Sequence, residues 1–151
     1  MQKGDIDAAL QDCKAAIRLE PTDDRFYFNR GLAWQEKQVW ENAIQDFLEA
    51  IRLNPERAST YRTLGWVLAT CPDAEYRDGN RALEYATKAC QLTEWKIPVY
   101  LGTLAAAYAQ LGEFDKAVEW QTKARDMAPE PTAQQALLDL FEAGKPYRQD
   151  N

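Results

Sequence analysis

The sequence predicts an all-α fold built from repeated helix hairpins, and two observations support this prediction. The 151 residues contain only seven glycines and seven prolines but 46% apolar residues, a composition that favours long helices over many short strands. The motif Ala-Ile-Arg-Leu-x-Pro occurs at residues 16–21 and again at residues 50–55, an offset of 34 residues. Stacked helix pairs commonly repeat at this period.

The 34-residue offset relates whole hairpins rather than one short motif. It connects Ile6 with Trp40, Ala9 with Ala43, Cys13 with Phe47, Tyr27 with Tyr61, and Gly31 with Gly65. In the next unit the offset from Ala50 to Ala89 is 39 residues, because five residues are inserted between the two helices. Pro72 and the step from Asp78 to Gly79 indicate a loop. We expect this loop to project from one edge without entering the core.

We expect about eight helices, because apolar residues recur at helical spacing between the turn signals. The predicted spans are 5–19, 24–37, 40–53, 58–70, 79–92, 98–110, 114–127 and 131–142. We interpret the chain as a single domain, residues 1–151, made of a half repeat, three repeats and a C-terminal capping helix. These parts are residues 4–21, 24–57, 58–97 (with the insertion), 98–130 and 131–143.

The repeat resembles that of the tetratricopeptide repeat (TPR) family. The family pattern has an aromatic residue, a Leu-Gly pair and a second aromatic residue on one helix, followed by Ala, an aromatic residue and Pro. Residues 24–57 match it with Tyr27, Gly31, Trp34, Ala43, Phe47 and Pro55. Arg30 stands where Leu is commoner, and we expect its stem to cover apolar surface while its head stays in water. The resemblance implies a right-handed superhelical solenoid, and the insertion resembles a variant of many bacterial members.

Small residues at matching repeat positions indicate where helix backbones approach closely. These residues are Gly31, Gly65 and Ala105. Large aromatic side chains are expected to fill the gaps beside them, and they are Tyr27, Trp34, Phe47 and Tyr108. Each hairpin has two apolar stripes and buries both only by stacking on neighbours.

The residue inventory argues against an enzyme. The chain has no histidine, which is the commonest general base and metal ligand, so we expect no catalytic residues, no metal site and no cofactor. The three cysteines, Cys13, Cys71 and Cys90, form no C-x-x-C pair and are interpreted as reduced, mostly buried hydrophobes. Carboxylates at helix starts are interpreted as caps; they are Asp23, Asp24, Glu113 and Asp115.

Net charge and hydropathy limit the partners. The formal charge of −6 disfavours nucleic acid and anionic membranes, because binding to both relies on Lys and Arg. Nowhere do eighteen apolar residues follow one another, and the first residues lack the apolar core of a signal peptide. We therefore expect no membrane segment and a cytoplasmic location.

The TPR resemblance implies that the first helix of each hairpin lines a concave groove that binds a protein or peptide. The predicted groove residues are Arg25, Phe28, Asn29, Leu32, Arg62, Thr63, Trp66, Thr103 and Ala106. Phe28, Leu32 and Trp66 are apolar although their helices already have filled core stripes, and exposed aromatic patches indicate contact surfaces. The alternative is that they pack against a neighbouring hairpin or the C-terminal helix.

The groove residues do not match the TPR subclass that grips chaperone C-terminal carboxylates. That subclass uses Lys, Asn and Arg, whereas the matching positions hold Phe28, Leu32, Thr63, Val99 and Thr103. The predicted ligand is instead a peptide with apolar anchors and an acidic residue, because Arg25 and Arg62 flank an apolar slot.

The N-terminal helix has no preceding partner helix, so we expect one apolar side to stay open. The predicted self-association edge consists of Ile6, Leu10, Cys13 and Ile17. Because arrays usually cap such an end with a polar face, we expect either that the segment is cut from a longer protein or that this edge pairs two copies in a homodimer. The alternative function is therefore a self-assembling or architectural segment of a larger multidomain protein.

Overall fold

The computed structural model describes residues 3–130 and 132–149, with side chains from residue 5 onward. This part of the chain contains eight α-helices and no strand. The helices are α1 Lys3–Leu19, α2 Asp24–Glu36, α3 Trp40–Leu53, α4 Ala58–Thr70, α5 Gly79–Leu92, α6 Pro98–Gln110, α7 Phe114–Met127 and α8 Thr132–Glu142. The all-α prediction is confirmed. The predicted start of the last helix, residue 131, lies outside the described residues.

The chain folds into two compact units, Met1–Thr60 and Tyr61–Asn151. The first unit contains α1, α2, α3 and the beginning of α4, and the second contains the rest of α4 and the four later helices. The predicted single domain with its repeat boundaries stays a prediction. Each unit is built from helices that pack on their neighbours in sequence.

In the first unit, α2 packs against both α1 and α3. The contact with α3 is close at Gly31, where an added Cβ would lie 2.7 Å from the ring of Phe47. Phe47 is fully buried. On the other side, Ile6 and Leu10 of α1 pack with Ala33 and the half-buried ring of Trp34. The small residue at Gly31 therefore makes room for this ring, whereas a close approach of the two helix backbones there stays a prediction.

Arg30 differs from the prediction that its head stays in water. Its guanidinium donates to both carboxylate oxygens of Asp46 on α3, at 2.8 and 2.7 Å. The two side chains are 22% and 8% exposed. A bidentate pair of this kind fixes the geometry between two helices, so Arg30 replaces the usual leucine with an ion pair that joins α2 to α3.

In the second unit, α5 and α7 both pack on α6, in which eight of the 13 residues are buried. A buried cluster consists of Ala86, Cys90, Leu101, Leu104 and Ala124, with Trp120 packed against it. The rings of Trp95 and Trp120 stack with centroids 5.3 Å apart. At Gly65 an added Cβ would lie 3.2 Å from the backbone nitrogen of Ala86, which confirms the predicted close approach of α4 to α5.

The inserted loop is anchored more firmly than predicted. It contains a short 3₁₀ helix, Ala74–Tyr76, and its Arg77 guanidinium donates to the carbonyl oxygens of Cys71 and Pro72 at 2.6 and 2.9 Å. The backbone N–H of Asp78 donates to the carbonyl of Leu68 at 2.9 Å. Since the last carbonyls of a helix lack partners within the helix, these bonds attach the loop to the end of α4.

The predicted helix caps are confirmed only in part. The Asp23 carboxylate accepts from the backbone N–H of Arg25 at 2.9 Å and caps α2. The Arg25 guanidinium also donates to it and lowers the pKa of Asp23 to about 2. Asp24 instead pairs with Arg57. Glu113 makes no side-chain cap bond to α7 and pairs with Lys116.

Candidate functional site

A cleft of about 140 Å³ lies among α4, α6 and α8 in the second unit. It is lined by Arg62, Trp66, Val99, Gly102, Thr103, Ala133, Gln134 and Leu137. The cleft therefore brings together three of the predicted groove residues, Arg62, Trp66 and Thr103. Its lining combines a cation, an indole ring and aliphatic side chains, which is the mixture found in recognition sites.

Arg62 supplies a positive charge to the cleft. Its guanidinium lies 5.9 Å from the centre of the Tyr100 ring, a distance at which a cation is attracted to the ring face. Within the described part of the chain, Arg62 forms no ion pair with a carboxylate. The ring thus positions a guanidinium that no carboxylate of residues 3–130 and 132–149 neutralises.

The apolar wall of the cleft is accessible. Val99 in the first turn of α6 is 45% exposed, and half-buried Leu137 of α8 lines the same cleft. Exposed aliphatic groups beside a concave surface gain free energy when a ligand covers them, at roughly 25 cal/mol for each Å² removed from water. An apolar side chain of a ligand fits this wall.

The floor of the cleft lies at Gly102, beneath which Gln121 of α7 is fully buried. The Gln121 amide nitrogen donates to the backbone carbonyl of Gln134 at 2.9 Å, while its Oε1 has no partner among the described residues. A Cβ added at Gly102 would lie 3.4 Å from this Oε1. The missing side chain at Gly102 therefore keeps the cleft open above a buried polar pair.

The residues after α8 reach the end of α4 and border the cleft. We call residues 145–149 the tail segment. The Tyr147 ring packs on Trp66 with centroids 5.4 Å apart. The backbone N–H of Gln149 donates to the carbonyl of Thr70 at 2.9 Å, and its amide Nε2 donates to Thr70 Oγ1 at 2.8 Å. Sequence reasoning missed this contact, because the tail segment lies beyond the last predicted helix, 131–142.

Three predicted groove residues of the second unit are buried, so the expectation that they are exposed is wrong. They are Thr63, Thr103 and Ala106. Thr103 donates its hydroxyl to the carbonyl of Val99 at 3.2 Å and contributes to the cleft only as part of its lining. Ala106 is covered because α6, with α5 and α7 packed on it, is buried around most of its circumference.

The four predicted groove residues of the first unit lie on α2. Leu32 is 37% exposed, and Arg25 and Asn29 are exposed, although the Arg25 guanidinium is bonded to Asp23. Phe28 is half-buried with its ring 5.8 Å from that of Phe47, so the expectation that it stands clear of the core is wrong. A groove on this helix stays a prediction.

The predicted self-association edge is corrected at two positions. Ile6 and Leu10 are buried against Ala33 and Trp34, so they belong to the interface between α1 and α2 rather than to an open edge. Cys13 and Ile17 are half-buried. The exposed side of α1 carries mostly polar residues, among them Asp5, Asp7, Gln11, Asp12 and Arg18.

The cysteines are not activated nucleophiles. Cys71 and Cys90 are buried, and burial raises the pKa of the Cys90 thiol to about 12 and that of Cys71 above its ordinary value. Among the described residues no group of three His, Cys, Asp or Glu side chains is placed to hold a metal ion. None of the helices in the same residues is long and apolar enough to cross a membrane.

Comparisons with known proteins identify the repeats. Residues 1–38 match a family model described as TPR repeat, and residues 99–131 match one described as tetratricopeptide repeat. Tetratricopeptide repeat protein 6 of Homo sapiens is 32% identical over 89 residues, which are 59% of this chain and 16% of that protein. The chain thus matches about a sixth of the length of this curated relative.

Solved structures share the fold. A crystal structure of MamA superposes with a TM-score of 0.78 at 21% identity, covering 94% of this chain and 80% of that one. TTC0263, a thermophilic TPR protein of Thermus thermophilus, gives 0.74 at 20% identity, with 93% and 74% covered. The Arabidopsis OM64 TPR domain gives 0.68 at 18%, with 80% and 94% covered. Two segments of the chain, residues 1–38 and 99–131, therefore match tetratricopeptide repeats, and the described helices share the fold of solved tetratricopeptide repeat structures. Arrays of such repeats are protein-interaction modules.

Proposed function

We propose that this protein is a non-enzymatic adaptor that binds a peptide segment of a partner protein in the cleft among α4, α6 and α8. The observation that supports it is the guanidinium of Arg62, which is held over a ring beside the exposed Val99 and has no carboxylate partner in the described chain. Binding next to a buried or half-buried cation and an apolar wall is favourable when the ligand supplies the opposite charge.

The proposed ligand carries an acidic residue next to an apolar anchor. The acidic group meets Arg62, and a bidentate bond to its guanidinium provides orientation as well as attraction. The apolar anchor covers Val99 and Leu137, which are accessible to it. Both contacts are non-covalent, so we assign no reaction to the protein. We also assign it no role with nucleic acid.

A charge reversal tests this proposal with a closely matched control. A random peptide library is selected against the wild-type protein, Arg62→Glu and Arg81→Glu. Arg81 is the control because its guanidinium also lies 5.9 Å from a tyrosine ring, that of Tyr85, but does not line the cleft. We expect wild-type and Arg81→Glu proteins to enrich peptides with an acidic residue beside an apolar one, and Arg62→Glu to prefer basic residues.

Binding constants of one enriched peptide complete the test. Loss of the ion pair in Arg62→Glu should weaken binding of that peptide at least about tenfold, which corresponds to about 1.4 kcal/mol. Enrichment of the same acidic peptides by all three proteins would show that the ligand does not meet Arg62 and would refute the proposed site.

A further inference from the structure

The end of α4 is already contacted by a short non-helical piece of the same chain. The tail segment follows α8 through Gly144, whose φ is +66°, and lies against the last turn of α4. Its contacts are a ring on a ring and hydrogen bonds from N–H groups to helix carbonyl and hydroxyl oxygens. These are the contacts by which proteins recognise extended peptides.

We propose that Trp66, Ala69 and Thr70 form a subsite for an extended segment with an aromatic residue followed two positions later by an amide residue, and that the tail segment occupies this subsite as an internal ligand. This proposal rests on the proposed function, because it assigns chemistry to the end of the same cleft. The partner segment is an aromatic-x-Gln or aromatic-x-Asn sequence that continues towards Arg62.

The aromatic position is defined by Trp66. This indole lines the cleft and is also covered by Tyr147 with an interplanar angle of 35°. Aromatic pairs with offset or tilted rings are attractive beyond the apolar area that they bury. A partner segment that places its own aromatic ring here reaches the cleft directly, because the Trp66 side chain belongs to both the subsite and the cleft.

The amide position is defined by Thr70. Its carbonyl is one of the last in α4, where helix carbonyls lack partners within the helix, and it accepts from the backbone N–H of Gln149. Its hydroxyl donates to the carbonyl of Trp66 at 2.7 Å and accepts from Gln149 Nε2. One residue of the ligand therefore satisfies both a backbone and a side-chain acceptor, and an amide side chain such as that of Gln149 reaches the hydroxyl at 2.8 Å.

The middle position contributes little. Arg148 reaches the carbonyl of Ala69 at 3.4 Å, a long hydrogen bond. Partial burial and the nearby Arg77 guanidinium lower the pKa of Arg148, so its charge is disfavoured where it lies. The tail segment thus has well-contacted aromatic and amide positions joined by a residue that makes only this long bond to α4, so a partner segment needs no charge at the middle position.

The test uses the full chain with the tail segment released. The variant Tyr147→Ala/Gln149→Ala keeps every residue of the subsite. The probe is a fluorescent, amidated peptide with the sequence of residues 143–149, Ala-Gly-Lys-Pro-Tyr-Arg-Gln. Anisotropy should show that the double variant binds this peptide at least about tenfold more tightly than the wild-type protein, since the internal competitor has been removed.

Peptide variants test the assigned chemistry. Alanine in place of the tyrosine or the glutamine of the peptide should abolish binding, whereas alanine in place of its arginine should leave the affinity unchanged or raise it. Circular dichroism checks that the double variant keeps its helices. Equal binding to both proteins, or no binding to the double variant up to the solubility limit of the peptide, would overturn the proposal.

The outcome is separable from that of the proposed function. The tail segment makes no described contact with Arg62, so Arg62→Glu in the double-variant background should leave binding of the peptide within about twofold. A failed peptide experiment together with Arg62-dependent selection from the library would remove the subsite and keep the cleft. The reverse result would keep the subsite and remove the acidic partner.

Discussion

The two compact units use their arginines differently. In the first unit, four of the five arginines are paired with carboxylates, and they are Arg25, Arg30, Arg52 and Arg57. In the second unit, among the described residues, only Arg125 forms such a pair. The guanidiniums of Arg62 and Arg81 lie over tyrosine rings, and those of Arg77 and Arg148 donate to carbonyl oxygens.

This difference separates arginines whose charge is already paired with a carboxylate of the protein from arginines that are available to a ligand. A guanidinium that already forms a bidentate pair with a carboxylate gains little binding free energy from an acidic ligand. One held by a ring or by carbonyls keeps its charge unneutralised, and an acidic ligand gains free energy by approaching it. The comparison predicts that substitutions in the first unit change stability, whereas those in the cleft of the second unit change binding.

The largest expected effect is that of Arg30→Ala. The substitution leaves Asp46, whose side chain is 8% exposed, without its cation, and breaking a buried pair from one side costs about 3 kcal/mol. Urea unfolding followed by circular dichroism measures the loss. Arg62→Ala is the control and should cost less than about 1 kcal/mol, the value of a partly exposed cation-ring contact. Equal losses would end the distinction between the units.

A pair of glycine substitutions sharpens the comparison. Gly31→Ala should destabilise the protein by about 2 kcal/mol, because its Cβ would lie 2.7 Å from the Phe47 ring and the core resists overpacking. Gly102→Ala should stabilise it by about 0.5 kcal/mol, since alanine favours a helix and its Cβ meets only an ordinary contact at 3.4 Å. Thermal melts of both variants measure these changes.

Gly102→Ala should also weaken binding of the library-selected peptides, because it partly fills the floor of the cleft. A more stable protein with reduced peptide affinity is the expected combination. If the variant binds those peptides as well as the wild-type protein does, the ligand does not approach the floor at Gly102.

The smallest expected effect concerns the helix cap of the first unit. The pKa of Asp23 is lowered from its ordinary value of 3.8 to about 2 in the folded protein, chiefly by the hydrogen-bonded Arg25. Its stabilising contribution is therefore complete above about pH 4 and is lost as the pH falls towards 2. NMR titration of the Asp23 carboxyl should give the low midpoint. Asp23→Asn keeps a capping oxygen and should remove this part of the acid sensitivity.

The helices and close approaches could be predicted because their signals are local or periodic. Apolar spacing gave the bounds of the helices, and the 34-residue offset placed small residues at Gly31 and Gly65, where the structure shows close contacts. The capping role of Asp23 could be predicted because this residue directly precedes the apolar stripe of α2. Each of these inferences needs only the neighbouring sequence or its repeat.

The parts that were missed depend on a partner far away in sequence. The Arg30 guanidinium pairs with Asp46 on a different helix. Nothing near Arg30 in the sequence indicates this pair. The burial of Thr63 and Ala106 was missed because a family-based face was assigned without knowing which helices cover it. Tyr147 lies beyond the repeats, so the periodicity that found the other contacts contained no information about its position.

The contact between the tail segment and α4 also orders the steps of folding. Gln149 and Thr70 are 79 positions apart, whereas the principal helix contacts join neighbours in sequence. Local contacts form quickly, and distant ones wait until the intervening chain has been organised. We therefore expect the tail segment to dock after the hairpins have formed. A newly made chain would present an uncovered Trp66 for a short time before its own tail segment reaches it.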